Sequence, residues 1–376
     1  MTDPDYTSLR QQLTELLAEQ GAFRAEWTRP IFERVPRHLF APDTVYVWHD
    51  ERWQPLRQAD DPDRWASIVY HLTDAVVTQV DDGHPAKDGS GLVPTSSISC
   101  VAAVLNMVTS LDPRPGDATL EIGAGSGYNA AILAERCGEQ HVVTMEIDPT
   151  LASGARENLA RANYAPTVVC GDGEQGYPDR APYNRLVSTA SVRRVPAKWL
   201  EQMGPDGEIV APWLPNERGL GLIWLRMREP GVARGWFHGA ETFMAVRGQR
   251  QERADLAGIW NATHEGAEET QERHDLGDVN VHGEFALGAI LPGVTTYRQD
   301  GGWFFLAQDR KSWARINGTT VERYGTRDLI RDAADALQWW RAKDRPRLYD
   351  FGITATRDEQ TLWLEDPATP VPMFGA

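Results

Sequence analysis

Apolar residues at the start of the chain recur at helical spacing. Leu9, Leu13, Leu16 and Leu17 share one face of an amphipathic helix predicted over residues 6–20, which Gly21 stops. A second helix is expected over residues 26–35, before the turn at Pro36-Arg37-His38, where His38 suits a capping or buried position. Residues 43–97 lose this periodicity. Trp48, Trp53 and Trp65 stand among acids and prolines, and only residues 76–80 read as a strand, with Asp81-Asp82-Gly83 as its turn. A long segment of that kind in a compact domain reads as a lid or binding loop. A helix over residues 101–111 follows, and Ser97 or Ser99 is placed to cap it.

The pattern then changes to short apolar runs that each end in polar or glycine residues. Thr119-Leu120-Glu121-Ile122-Gly123-Ala124-Gly125-Ser126-Gly127-Tyr128 reads as a buried strand, a tight turn and a helix start, and the helix to Cys137 carries Ala130, Ala131, Ile132 and Ala134. Further strands are expected over residues 141–145, 167–170 and 185–188, and a strand pair over residues 220–236. In the last third, strands are expected at residues 303–306 and 313–316, a helix at 326–343, and a hairpin of residues 348–355 and 360–364 across Arg357-Asp358-Glu359. The acid-rich stretch 261–278 reads as a solvated face or linker. Trp303, Trp313, Trp339 and Trp340 are expected in the core rather than on a binding surface.

Chemistry collects at the strand ends. Gly123, Gly125 and Gly127 let the backbone turn sharply and let a ligand approach without Cβ atoms in the way. Glu121 stands before them, available to accept from a cationic amine. Glu146, followed by Ile147, ends the next strand about twenty residues beyond the first glycine, where an acid holds ribose hydroxyls in nucleotide-binding α/β folds. Asp172 and Gly173 close the third. The loop departs from the G-x-G-x-x-G dinucleotide spacing, and it has no Lys of the kind that serves phosphate in a P-loop. S-adenosylmethionine, with ribose and adenine and no phosphate, is the ligand this pattern prefers.

Composition narrows the picture. The chain has 376 residues, more than one core usually fills. Its division is expected at residue 250, with N-terminal helices and lid over 1–97, a Rossmann-like core over 98–250, and an α+β extension over 251–376. Net charge is −16, a field that repels nucleic acid and anionic lipid and attracts a basic peptide. No apolar run reaches the roughly 20 residues of a membrane span. The first residues, Met1-Thr2-Asp3-Pro4-Asp5, carry no basic or apolar signal region. Three cysteines without C-x-x-C spacing point to a reduced, cytoplasmic chain with no metal site. Cys137 and Cys170 are expected in the core, and Cys100 is left open.

The runs Ile98-Ser99-Cys100, Leu120 to Ala131, Gly171-Asp172-Gly173 and Ala181-Pro182-Tyr183-Asn184 resemble the protein-L-isoaspartate O-methyltransferase family. Val35-Pro36-Arg37-His38-Leu39-Phe40-Ala41-Pro42 upstream, and Val195-Pro196 and Gly204 to Pro212 downstream, extend the likeness over residues 22–250. The resemblance implies a class I methyltransferase fold with a parallel-rich sheet. It also implies S-adenosylmethionine as cofactor and Ser99 beside the reacting carboxylate, with Glu146 on the ribose and Asp172 facing the adenine amine. Cys100 and Val101 depart from that family's pattern after Ser99, and a repair enzyme of the family would end near residue 250. The added length, with the runs 45–50 and 77–83, resembles the extended members dedicated to ribosomally made, modified peptides such as graspetides and lanthipeptides. The implied reaction is methylation of an Asp carboxylate in a macrocyclic precursor peptide, the ester closing to an aspartimide. General isoaspartate repair and a non-catalytic cofactor- or peptide-binding module are the competing readings.

Overall fold

The computed structural model describes residues 4–216, 220–251, 254–272, 276–277, 279–299 and 302–375. Met1 to Asp3, and residues 273–275 and 278 of the acid-rich stretch, lie outside the described residues. The chain forms two compact units. One takes Met1–Ala190, Pro196–Ala211 and Arg226–Gly231; the other takes Ser191–Val195, Pro212–Leu225 and Val232–Ala376. The division is therefore not a single cut at residue 250.

The first unit opens with helix α1 (Tyr6–Glu19), capped by Asp5, whose side chain accepts from the Ser8 N–H. Leu13 and Leu17, one turn apart, are buried, while Leu16 faces out at 44% exposure. Helix α2 (Thr28–Arg34) follows. The stretch expected to be an irregular lid is instead a four-stranded sheet. Its strands are β1 (Thr44–His49), β2 (Arg52–Arg57), β3 (Val76–Val80) and β4 (Pro94–Ile98), in the order β2-β1-β3-β4 and antiparallel throughout, with helix α3 (Pro62–Val69) between β2 and β3. The β1–β2 turn uses Asp50 and Glu51, both at positive φ, so it carries none of the Asn-Gly or Asp-Gly signal that usually betrays a hairpin.

Helix α4 (Val101–Leu111) leads into a parallel sheet. Its strands are β5 (Thr119–Ile122), β6 (Val142–Glu146), β7 (Thr167–Cys170), β8 (Tyr183–Ser188) and β9 (Met203–Trp213), the last as far as Ala211 in this unit, in the order β9-β8-β5-β6-β7. Helices α5 (Tyr128–Cys137), α6 (Pro149–Arg161) and α7 (Ala197–Gln202) connect them. Every residue of β5 and β6 is buried, as strands covered on both faces require. Strand order reverses between β5 and β8, and in such open sheets the ligand crevice lies outside the carboxyl ends of the strands at that point. This is the class I methyltransferase fold that the resemblance implies.

The second unit carries β10 (Gly221–Glu229), as far as Leu225, with β11 (Val232–Gly239), helix α8 (Leu256–Thr263), β12 (Glu268–Gln271), helix α9 (Val281–Ile290), β13 (Val294–Gln299) and β14 (Gly302–Ala307). Strands β15 (Trp313–Asn317) and β16 (Thr320–Tyr324), helix α10 (Leu329–Ala342), β17 (Phe351–Ala355) and β18 (Gln360–Leu364) complete it. Strands β12 to β16 make an antiparallel sheet in the order β12-β16-β15-β14-β13, while β11, β17 and β18 pair in that order. Part of the expected linker is thus α8 and β12. Trp303, Trp313 and Trp340 are buried and Trp339 half-buried, which makes them core. Cys137 is buried and Cys170 is exposed, a correction to its expected core position.

Candidate active site

The glycine loop leaves the end of β5 tied to the end of β6, since the N–H groups of Gly123 and Ala124 both donate to the Met145 carbonyl, at 2.8 and 2.9 Å. Gly123 sits at φ +95°, and a Cβ there would lie 2.8 Å from Thr189 Oγ1. That hydroxyl in turn donates to the Gly123 carbonyl at 2.6 Å, closing the gap between β5 and β8 where strand order reverses. A Cβ on Gly125, at φ +51°, would lie 3.7 Å from Ser96 Oγ and the Ser97 carbonyl of β4. Gly127 opens α5 against Leu159 and the Ala155 carbonyl of α6. Gly123 and Gly127 therefore answer close approaches, to Thr189 beyond β8 and to α6, while Gly125 answers its positive φ.

Glu146 meets this loop directly. Its Oε2 accepts from the Gly125 N–H at 2.9 Å and its Oε1 from the Asp148 N–H at 3.1 Å. Burial raises its pKa, against the N–H donors of Asp148, Gly125 and Ile147. Ile147, half-buried, follows it at the strand end. Asp172 sits beyond β7, half-buried, with Oδ1 taking the Glu174 N–H at 3.0 Å. Gly173 is buried, and a Cβ on it would come within 2.4 Å of Ile122 Cγ2 at the end of β5. Its carbonyl accepts from Trp199 Nε1. The three strand ends named in the sequence thus stand side by side.

Glu121 is placed differently from its expected role as acceptor for a cationic amine. It is fully buried, with Oε1 taking Asn129 Nδ2 at 2.7 Å and Oε2 taking the Thr144 hydroxyl at 2.5 Å. Burial pushes its pKa up to about 7, opposed by those two hydrogen bonds, with Glu146 adding to the rise. The group locks β5 to β6 and α5 from inside and presents no surface to a ligand.

Ser99, expected beside the acceptor, is half-buried directly after β4. It is not the helix cap: that position belongs to Cys100, whose side chain makes no capping bond. The Ser99 hydroxyl makes no hydrogen bond to the described residues, while its carbonyl accepts from Arg37 Nη2 at 2.8 Å. His38 takes the structural place expected of it, half-buried, stacked on Tyr6 at 4.1 Å and 2.7 Å from the Tyr70 hydroxyl.

Several contributors carry no local sequence signal. Asp148 caps α6 and accepts from buried Gln79 of β3 at 3.1 Å, and Gln79 accepts in turn from Thr95 of β4 at 2.9 Å, joining the four-stranded sheet to the Glu146 turn. Thr189, Gln79 and Arg37 matter through contacts far along the chain. Only the strand-end register of β8 could have pointed to Thr189.

The cradle fits an adenosylmethionine. Its donors and acceptors are backbone N–H groups, hydroxyls and carboxylates, suited to sugar hydroxyls and a cation, with Gly123, Gly127 and Gly173 as the positions where a Cβ would intrude. Among the described residues no group of three or more His, Cys, Asp or Glu side chains could hold a metal, and no helix is long and apolar enough to cross a membrane.

Residues 82–221 match the sequence model described as protein-L-isoaspartate(D-aspartate) O-methyltransferase. A protein-L-isoaspartate O-methyltransferase of Methanopyrus kandleri is 34% identical over 251 residues, covering 66% of this chain and 95% of that protein. One of Ignicoccus hospitalis is 42% identical over 223 residues, covering 59% of this chain and 88% of its own. A solved structure titled protein-L-isoaspartate O-methyltransferase shares the fold with a TM-score of 0.55 at 18% identity, covering 95% of this chain and 100% of that one. The fold likeness therefore reaches past residue 250, where a repair enzyme was expected to stop.

Proposed function

Because the chain belongs to the protein-L-isoaspartate O-methyltransferase family, S-adenosylmethionine-dependent carboxyl methyltransferases, we propose that it methylates an aspartyl side-chain carboxylate in a ribosomally made, pre-modified macrocyclic peptide. The observation that carries the reading is the placing of the Ser99 turn beside the glycine loop: β4, which ends one residue before Ser99, passes 3.7 Å from the Cβ direction of Gly125.

When bound, S-adenosylmethionine supplies a sulfonium-activated methyl group to an oxygen nucleophile. The acceptor carboxylate is ionised at neutral pH, with an ordinary Asp pKa of about 3.9, so the protein has no proton to remove. Its residues align and dry the reacting groups. In this reading Ser99 donates to one carboxylate oxygen while the other attacks, Glu146 holds the ribose, Asp172 faces the adenine amine, and Gly123, Gly125 and Gly127 form the floor. Ile147 and Gly173 add apolar walls. Glu121 stiffens the cradle from behind. The methyl ester then reacts on its own: the next backbone nitrogen attacks the carbonyl, methanol leaves, and a five-membered imide closes.

Two features favour a dedicated peptide over damaged proteins at large. Cys100 and Val101 alter the lip beside Ser99, and a four-stranded sheet with exposed Trp48, Leu92 and Val93 leads into it. Repair of isoaspartyl residues is the second reading, favoured by the names of the relatives above. Mass spectrometry decides between them, using the protein with S-adenosylmethionine and two acceptors, an isoaspartyl peptide and a macrocycle carrying unmodified Asp. A methyl adduct on the macrocycle that decays to a net loss of water supports the dedicated reading; methylation of the isoaspartyl peptide alone overturns it. Ser99→Ala that still binds cofactor and has lost turnover excludes a non-catalytic binding module.

A further inference from the structure

Arg37 is 1% exposed, yet among the described residues no carboxylate forms an ion pair with it. Its fork is spent on three carbonyls instead: Nε donates to Val69 at 2.8 Å, and Nη2 to Ile98 at 3.1 Å and Ser99 at 2.8 Å. The guanidinium lies over the Tyr128 ring, 5.1 Å from its centroid. Tyr128 is the first residue of α5, directly after Gly127. One side chain therefore touches the end of α3, the turn bearing Ser99 and the start of the helix behind the cofactor loop.

We propose that Arg37 is the positioning residue of the acceptor site, fixing the Ser99 turn relative to the cofactor loop by holding the Ser99 and Ile98 carbonyls against Tyr128. The inference rests on the reading of Ser99 given above. A buried cation without a counter-charge is costly; carbonyls satisfy Nε and Nη2 of Arg37, while its Nη1 has no hydrogen-bond partner among the described residues. Burial pulls the Arg37 pKa below its ordinary value, and the neighbours that oppose this are Tyr128, Cys100 and Tyr70, none of them a carboxylate. A Lys could carry the charge, but its single nitrogen cannot reach carbonyls on α3 and on the Ser99 turn with a fixed planar fork. An apolar residue could fill the space but would leave those carbonyls unpaired.

The test is a double-mutant cycle on the full chain, with S-adenosylmethionine and whichever of the two acceptors is methylated. Its members are R37K, S99A and the pair. R37K is expected to lose about 10-fold or more in kcat for the acceptor while its dissociation constant for S-adenosylmethionine, by titration calorimetry, stays within about twofold. Because Arg37 acts through Ser99, the double variant should fall no more than about threefold below S99A alone. A purely structural role predicts multiplied losses and a weakened cofactor site, and either result overturns the proposal. An S99A protein with full turnover would overturn the acceptor reading itself and the proposal with it, a result distinct from additivity. If R37K does not fold cooperatively, R37Q runs the same cycle and the same outcomes decide.

Discussion

Glu121 is buried completely inside a sheet, and its chemistry follows from that position. The folded protein holds its proton up to about pH 7, whereas the unfolded chain releases it near 4.5. Between those values the folded state binds more protons than the unfolded one, so stability declines as pH rises through this window and is fully present only below it. Glu121→Gln keeps the shape without the titration and is expected to remove that decline. The difference in unfolding free energy between the two proteins should grow by up to about 3 kcal/mol from pH 4.5 to 7, measured by urea unfolding across the range. Parallel pH profiles would mean that Glu121 has the same pKa in the folded and the unfolded protein. Gly123 gives a second residue test: at φ +95°, with Thr189 Oγ1 2.8 Å from a Cβ, Gly123→Ala must move the loop. Cofactor affinity is expected to drop about tenfold or more, equivalent to at least about 1.4 kcal/mol, by calorimetry; unchanged affinity would remove Gly123 from the cradle. Glu146 was legible in the sequence because a strand end and a spacing of about twenty residues mark it. The enclosure of Glu121 was not, since the spacing that sets Asn129 and Thr144 on its two oxygens reads equally as a ligand-facing acid.

At the scale of elements, the parallel strands announce themselves as continuous apolar runs, and β5, β6, β7 and β8 lie where that pattern sets them. The antiparallel sheet ahead of them did not. Pro55 interrupts β2, two acids at positive φ make its turn with β1, and β4 carries three hydroxyl residues, Thr95, Ser96 and Ser97, of which the first two bond within the fold, so that no alternating face shows. Helix α4 illustrates the same limit. Two serines precede it, but the residue with the cap geometry is Cys100, at φ −58° and ψ 146°, and its thiol caps nothing. Cys100→Ser should supply that missing bond and raise stability by about 1 kcal/mol. The urea midpoint would rise at unchanged m-value, while Cys100→Ala would not gain. Equal behaviour of the two variants would mean that the helix start has no use for a capping oxygen.

For the whole molecule, the boundary expected at residue 250 followed from where a resemblance ended, and resemblance tracks one unit's motifs rather than the packing of the other. The second unit recruits Ser191–Val195 and Pro212–Leu225 from within the first unit's span, and β11 lies upstream of residue 250 but pairs with β17, Ala233 opposite Ala355 and Trp236 opposite Gly352. Phe237 of β11 packs on Phe285 of α9 with ring centroids 4.8 Å apart, and Trp236 on Trp363 at 4.4 Å. A chain ended after residue 250 keeps β11 and loses α9, β17 and β18. It would present an unpaired strand edge flanked by large apolar side chains, the combination that pairs with other copies. The fragment 1–250 is therefore expected to aggregate, eluting in the void of a size-exclusion column or requiring denaturant for recovery, although every residue of the cofactor cradle remains in it. A monomeric fragment that binds S-adenosylmethionine as tightly as the full chain would show instead that the first unit folds by itself, and that the resemblance had drawn the right line.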